Sequence, residues 1–559
     1  MKHRPLPVPG LAFVVVALAL AACSKAPDVS APAAPPAAVS PPVVTKATAP
    51  AVADRAEAGI AWKQASSDAD VDAAFATARA ETKPVFVYWG AKWCPPCNQV
   101  KATLFNRRDF IERSRAFVPV YIDGDSPGAQ KLGTRFRVSG YPTMLLFKPS
   151  GEEVTRLPGE VDPARYTELL NLGMNAARPV KAVLADALAG GKDLKPNDWR
   201  LLAFYSWDTD QTQVVGKDQV APTLARLAAA CPADQPETAM RLRLRALAAR
   251  DAKTPAPTDL AARPAVLAAL GNPSASRDVA DLLVNAAPEI ARALAAPATP
   301  ERTQVLAALD TALRRLEADT TLSRADRMQA LIARVDLVRI DLPEDASAGA
   351  AKPAPLPHVP KALLAHVREE AARADREITD GYERQAVITS AAHLLGQAGL
   401  LSESDTLLET NLAKSHSPYY LMLGLAGNAK KRGDKPGALR WYREAYEKSE
   451  GPATRMQWGA GYLSALVELA PADEAAIEAT TLQFWREAAL LPDAFEQRSG
   501  RSMQRVGNKL QAWSKGGAHG AAMARLRGEL NTLCTTQVRA DADRATCKAL
   551  LTPAPKASA

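Results

Sequence analysis

Hydrophobic and polar positions change their pattern three times along the chain. From Leu11 to Ala22 the run is apolar without interruption, and it follows the positive residues Lys2 and Arg4. From Ser24 to about Glu57 large apolar side chains nearly vanish in favour of Ala, Pro, Val and Ser. Such a stretch has nothing to bury, and its prolines hold it extended, so it reads as a tether. From about Gly59 to Arg178 strand and helix signals alternate. Ser67-Asp68 predicts the cap of a helix that carries Val71, Ala74, Phe75 and Ala78 on one face. The apolar run from Pro84 to Trp89 reads as a buried strand. A helix from Cys94 to about Phe105, a strand from Phe117 to Ile122 and a helix from Ala129 to Phe136 follow. Two strands, Thr143 to Phe147 and Glu153 to Leu157, flank the turn signal Pro149-Ser150-Gly151, and a helix from Asp162 to Met174 closes the unit. This order predicts an α/β sandwich.

Beyond about Pro179 strand signals give way to Ala, Leu, Arg and Glu in helical spacing, with Pro- and Ala-rich breaks at Lys253 to Pro257 and Pro343 to Pro360. In the second helical block Gly399, Ser404, Leu408 and Pro418 recur, each shifted by 34, as Gly433, Ala438, Tyr442 and Pro452. The small residue lets two helices approach, the large one fills the gap, and the proline ends the unit. This spacing resembles the tetratricopeptide repeat. Trp458 to Ala470 opens a third unit with degraded spacing. Two repeats alone bury no continuous core, so neighbouring helices must extend or cap the stack; an irregular helical bundle is the other reading. A repeat stack would offer a concave face to a peptide or protein partner. Trp441, Tyr442, Tyr446 and Trp458 are expected to fill core rather than to contact a ligand.

Composition adds bounds. A chain of 559 residues holds two to four domains. Its 69 Lys+Arg against 61 Asp+Glu leave +8, with no basic run or basic-aromatic cluster, which argues against a nucleic-acid partner. The apolar run at the N-terminus is short for a membrane span and ends in Leu20-Ala21-Ala22-Cys23. Small residues before a cysteine resemble the lipobox of bacterial lipoproteins. The resemblance implies cleavage before Cys23 and lipidation of its thiol, which would tether the protein to a membrane in the periplasm. Ser24, rather than Asp, after the cysteine favours the outer membrane. An ordinary signal peptide with an incidental Cys23, or an uncleaved anchor, is the alternative. Export places the remaining cysteines where disulfides persist.

Trp93-Cys94-Pro95-Pro96-Cys97 follows the buried strand and opens a helix; Gly140-Tyr141-Pro142-Thr143 begins a later strand. Together they resemble thioredoxin-fold thiol:disulfide oxidoreductases, in particular the C-terminal domain of the DsbD interchange proteins and CPPC-bearing periplasmic reductases. A cysteine at a helix N-terminus meets the positive end of the helix dipole and free N–H groups, so Cys94 is the expected nucleophile. Cys97, one turn on, resolves the mixed disulfide, making Cys94 and Cys97 the redox-active pair. The resemblance implies a cis peptide before Pro142, a backbone at Tyr141 that pairs with substrate, and a shielding role for Trp93. Pro95 and Pro96 lack N–H donors toward the Cys94 sulfur, which predicts a pair that leans toward donating electrons. One departure stands out. The family carries a buried Asp six residues before the first cysteine, and the DsbD domain a Glu seven residues after it; this chain has Tyr88 and Lys101.

Other readings of these cysteines remain. Cys94 and Cys97 as zinc ligands would need two more ligands nearby, and no metal is expected. An inert structural bridge leaves Trp93 and Pro142 unexplained. Cys534 and Cys547 read as a structural disulfide, with a second redox pair as the alternative, and Cys231 as a buried small residue. His366, His393 and His416 read as solvated or packed. No cofactor is implied, because electrons move through cysteine alone.

The expected architecture is an α/β thioredoxin-like sandwich followed by a large all-α, tetratricopeptide-like region. Its boundaries are 1–22 signal peptide, 23–58 tether, 59–178 thioredoxin-like domain, 179–342 helical region, 343–360 linker and 361–559 helical-repeat region. The expected function is thiol–disulfide exchange with envelope protein thiols or disulfides, the helical region choosing partners. The alternative is an envelope scaffold in which the thioredoxin fold is a docking module.

Overall fold

The computed structural model describes residues 59–159, 162–210, 212–250, 257–341, 359–538 and 540–552. The apolar N-terminal run, Cys23, the tether and most of the linker expected at 343–360 lie outside them. Five strands, β1 (Lys63–Gln64), β2 (Val85–Gly90), β3 (Val118–Asp123), β4 (Thr143–Phe147) and β5 (Glu153–Leu157), form one sheet in the order β1-β3-β2-β4-β5. β1 and β2 run parallel to β3, whereas β4 runs antiparallel to both β2 and β5.

Strand side chains alternate between faces. Val85, Val87 and Trp89 therefore meet α1 (Asp68–Glu81) and α4 (Ala129–Arg135) on one side, through Val71, Phe75, Ala78 and Leu132. Ser67 caps α1 in a reciprocal box with Asp70. Phe86 and Tyr88 meet α2 (Pro95–Thr103), α3 (Arg108–Arg113) and α5 (Pro163–Met174) on the other, through Val100, Phe110, Tyr166 and Leu170. Two elements were absent from the sequence expectation. β1 has two residues and α3 has six, too few for a periodic signal.

The second core does not stop at Arg178. It continues through Val183, Leu184, Trp199, Leu202, Leu227 and Leu242 on the helices that follow. The expected boundary is thus a change of secondary structure without a change of core. Cys231 ends the helix Val220–Ala230 and is half-buried rather than buried, with burial raising its thiol to about 11.

In the C-terminal part three helix pairs follow one another: Gly381–Gln397 with Leu401–Asn411, Pro418–Lys431 with Lys435–Lys448, and Pro452–Leu469 with Glu474–Ala489. Gly399 and Gly433 turn between the partners with φ of 85° and 77°, a conformation in which a side chain is strained. Ser404 and Ala438 are buried where the helices meet. The third pair lost its sequence signature because the 18-residue helix Pro452–Leu469 runs straight through the position where the turn glycine would recur. Cys534 and Cys547 form a disulfide between the helices Gly520–Thr536 and Asp541–Ala549. No helix among the described residues is long and apolar enough to cross a membrane.

Candidate active site

Cys94 is the N-cap of α2, and its Sγ accepts the Cys97 N–H at 3.4 Å. A cap sulfur can be served by the N–H groups one turn in, and Pro96 removes one of them. The Asn98 amide donates to the Lys92 and Cys94 carbonyls, both at 2.8 Å, which locks the loop ahead of the helix. The Tyr141–Pro142 peptide is cis and lies where the chain enters β4. Tyr141 stacks on Trp89 and meets Trp93 edge-on, its hydroxyl accepting from Gln130 at 3.2 Å. Gly124 makes room for that hydroxyl, since a Cβ there would overlap it.

Cys94 and Cys97, both present as thiols, are only 3% and 0% exposed, and the cover is the helical region. Tyr420 stacks on Trp93 with centroids 5.7 Å apart, and Trp458 meets the same indole edge-on at 4.9 Å. Tyr419, Met422 and Tyr446 complete an apolar cluster with both cysteines. Polar contacts surround it. The Trp93 N–H donates to Thr454 Oγ1 at 2.6 Å and to Asp125 Oδ2 at 3.2 Å, while Thr454 donates its own N–H and hydroxyl to Asp125. Gln385 donates to the Trp93 carbonyl and His416 to that of Lys92. Arg498 lies over the Trp93 and Tyr141 rings, and its backbone N–H donates to Gln130. On the far side of α2 the Gln99 amide reaches Asp326 at 2.8 Å.

This burial controls the chemistry. It pushes the Cys94 thiol well above its usual value, with the Cys97 thiol adding to the effect and Arg498 opposing it. Burial likewise raises Asp125 to about 6 and lowers His416. Lys101 is buried beside the Tyr121 and Tyr382 rings. No cluster of metal-binding side chains occurs among the described residues.

Trp93, Cys94, Cys97, Tyr141 and Pro142 thus lie at one place on the fold. Trp458 and Tyr446, expected as ordinary core, are core residues of the cluster that also holds the cysteine pair. Thr454, Asp125, Tyr420, Gln385 and Arg498 carry no local sequence signal, because they meet partners far away in the sequence.

Residues 71–173 match the family model of the thioredoxin-like domain, so the chain carries such a domain. Among curated proteins it resembles thiol:disulfide interchange protein DsbD 1 of Pseudomonas aeruginosa, with 32% identity over 113 residues, 20% of this chain and 19% of that one. The DsbD of Pseudomonas fluorescens is 30% identical over 121 residues, 21% of each chain. The chain therefore spans about a fifth of the length of these relatives. A solution structure of a thioredoxin from Thermus thermophilus is 29% identical, covers 20% of this chain and 83% of its own, and superposes with a TM-score of 0.18.

Proposed function

We propose that the protein is a thiol–disulfide oxidoreductase of the bacterial envelope that works through Cys94 and Cys97, leans toward reduction, and is tethered to a membrane by lipid on Cys23. The observation that carries the reading is the Cys94 sulfur at the N-terminus of α2, beside Cys97 and in one cluster with Tyr141, the residue before cis-Pro142. The names of the DsbD relatives, thiol:disulfide interchange proteins, support it. In the forward direction Cys94 thiolate attacks a substrate disulfide and displaces one thiolate, which takes up a proton. Cys97 thiolate then attacks Cys94 Sγ, releasing the second substrate thiol and leaving a Cys94–Cys97 disulfide.

The reducing direction is supported by a Cys94 thiol raised by burial and by the donor missing at Pro96. A poorly stabilised thiolate makes the reduced pair less favourable and so a better electron donor. The helices over Trp93 support partner selection by access. A protein disulfide reaches Cys94 only when Tyr420 and Trp458 move away, so a partner able to displace them is favoured.

Insulin reduction by the full chain, compared with Cys94→Ser, tests the activity; equal turnover by the two removes the reading and leaves the scaffold alternative. Trapping with Cys97→Ala in cells names the partner and its compartment. Loss of lipid labelling in Cys23→Ser tests the tether.

A further inference from the structure

The helix Gln497–Trp513 carries four cations and no acid. Arg498, Arg501, Arg505 and Lys509 stand at i, i+3, i+7 and i+11, so they form one stripe about 16 Å long. A separate face of the helix buries Met503, Val506 and Leu510 in the C-terminal core. The stripe starts at the cysteine site. Arg498 covers the Trp93 and Tyr141 rings, and Arg501 donates to the Ser139 carbonyl at 3.3 Å, just ahead of cis-Pro142. A Cβ on Gly140 would meet nothing within 4 Å, so the loop beside the stripe is open. From there outward Arg501 and Arg505 are exposed and Lys509 is half-buried.

Elsewhere arginines of the helical region answer to carboxylates, as Arg334 does to Asp310 and Glu317 and Arg455 to Glu487. None of the four cations of the stripe meets a carboxylate among the described residues. The carboxylates that border it are already engaged. Asp493 accepts the Gln130 N–H, Glu496 the Thr134 hydroxyl, and Asp210, bridged to Val138, the Val214 N–H. Like charges one and two turns apart repel. Desolvation and then the charge of Arg498 hold Arg501 below its usual value, with Arg505 adding to the effect and Tyr141 opposing it. An incoming carboxylate relieves that repulsion.

We propose that the stripe is a docking track for an acidic segment of the protein whose disulfide the pair reduces, the segment lying along Arg501, Arg505 and Lys509 while its cysteine approaches Cys94 past the Tyr141–Pro142 loop. The proposal rests on the oxidoreductase reading above and gives it a substrate class. A line about 16 Å long that runs into the site matches about five residues of extended chain, whereas a lipid surface calls for a face. The outer cations are exposed while Tyr420 and Trp458 still cover Trp93, so a partner docks before the cover moves. Charge matching of this kind acts on encounter and specificity, and salt screens it.

The test uses the full chain and two disulfide-looped peptides of equal length, one with Asp and Glu beside the loop, the other with Asn and Gln. At low ionic strength kcat/KM should favour the acidic peptide roughly tenfold, and the two should converge as salt rises past ~0.1 M. Arg501→Gln, Arg505→Gln and Lys509→Gln together should bring the ratio close to one. Arg505→Glu alone should lower it, and decides the matter if the triple variant does not fold. Equal kcat/KM for the two peptides in the unaltered chain, or a preference that survives the substitutions, overturns the proposal. So does binding to phosphatidylglycerol vesicles through these three residues with no preference for the acidic peptide. Fluorescence anisotropy of the acidic peptide with serines for its cysteines separates the two readings. Binding that the substitutions abolish, in a chain that reduces neither peptide, keeps the track and removes the oxidoreductase reading.

Discussion

The indole N–H of Trp93 donates to the hydroxyl of Thr454 at 2.6 Å, across 361 residues of sequence. This bond joins the residue before Cys94 to the helix Pro452–Leu469, and Asp125 braces both ends of it. Access to Cys94 is therefore a property of the junction between the sheet domain and the helices, and each side of that junction is open to test.

Thr454→Val removes the acceptor of Trp93 and the hydroxyl donor to the buried Asp125 carboxylate, leaving only the backbone N–H bond to it. Losing a buried hydrogen-bonded partner costs about 1–3 kcal/mol, so the open population should rise roughly tenfold or more. Gly451→Ala should act in the same direction, since Gly451 has φ of 84° and its Cβ would lie 2.6 Å from Asp125 Cβ. Alkylation of Cys94, followed by mass spectrometry at fixed pH, reads the change. Rates equal to those of the unaltered chain would mean that the latch does not govern access.

Asp125 makes the junction sensitive to pH. Burial raises its carboxyl from 3.8 to about 6, against the opposing bonds from Thr454 and Trp93. An acid raised in the closed state contributes stability that is complete below about 3.8 and is lost as pH rises through about 6. Asp125→Asn has no charge to bury. Hydrogen exchange of Pro452–Leu469 should match the unaltered chain near pH 4 and be more protected in the variant near pH 7, by up to about 3 kcal/mol. A constant difference across that window would contradict the assignment.

Pro96 occupies the second position of α2, where an N–H would point toward the cap sulfur. Pro96→Ala restores that donor and stabilises the Cys94 thiolate. The pair should become more oxidising, by about 30 mV for each tenfold gain in the reduced form. A redox titration against glutathione checks it, and a shift in the reducing direction would refute the role given to the proline.

The Cys534–Cys547 bridge closes a separation of 13 residues at the end of the fold, far from Cys94 in the sequence. Chain-entropy reasoning assigns such a loop about 3 kcal/mol. Cys547→Ser should lower the denaturation midpoint of the C-terminal helices while insulin reduction continues unchanged. Loss of turnover in a folded variant would point to exchange between the two pairs.

Much of the site was legible in sequence because its chemistry is local. Trp93 to Cys97 cap a helix with their own atoms, Tyr141-Pro142 sets its own backbone, and Gly399 and Gly433 mark turns by what a left-handed φ requires. The helix of Pro452 was legible too, but its pairing was not, because its length overran the repeat. Tyr88 could be flagged as a departure at its position, yet its stacking on Tyr121 became visible only when β2 was laid against β3. Tyr446 and Trp458 have the spacing of core residues, and spacing cannot say whose core. By itself the chain determined an α/β sheet domain with a cysteine pair at a helix start, then helices. Tertiary structure alone decided that those helices lie on the pair, since contacts such as Trp93–Thr454 and Gln130–Asp493 join residues with no local pattern in common. That packing is what buries Cys94, and burial sets both its reactivity and its access.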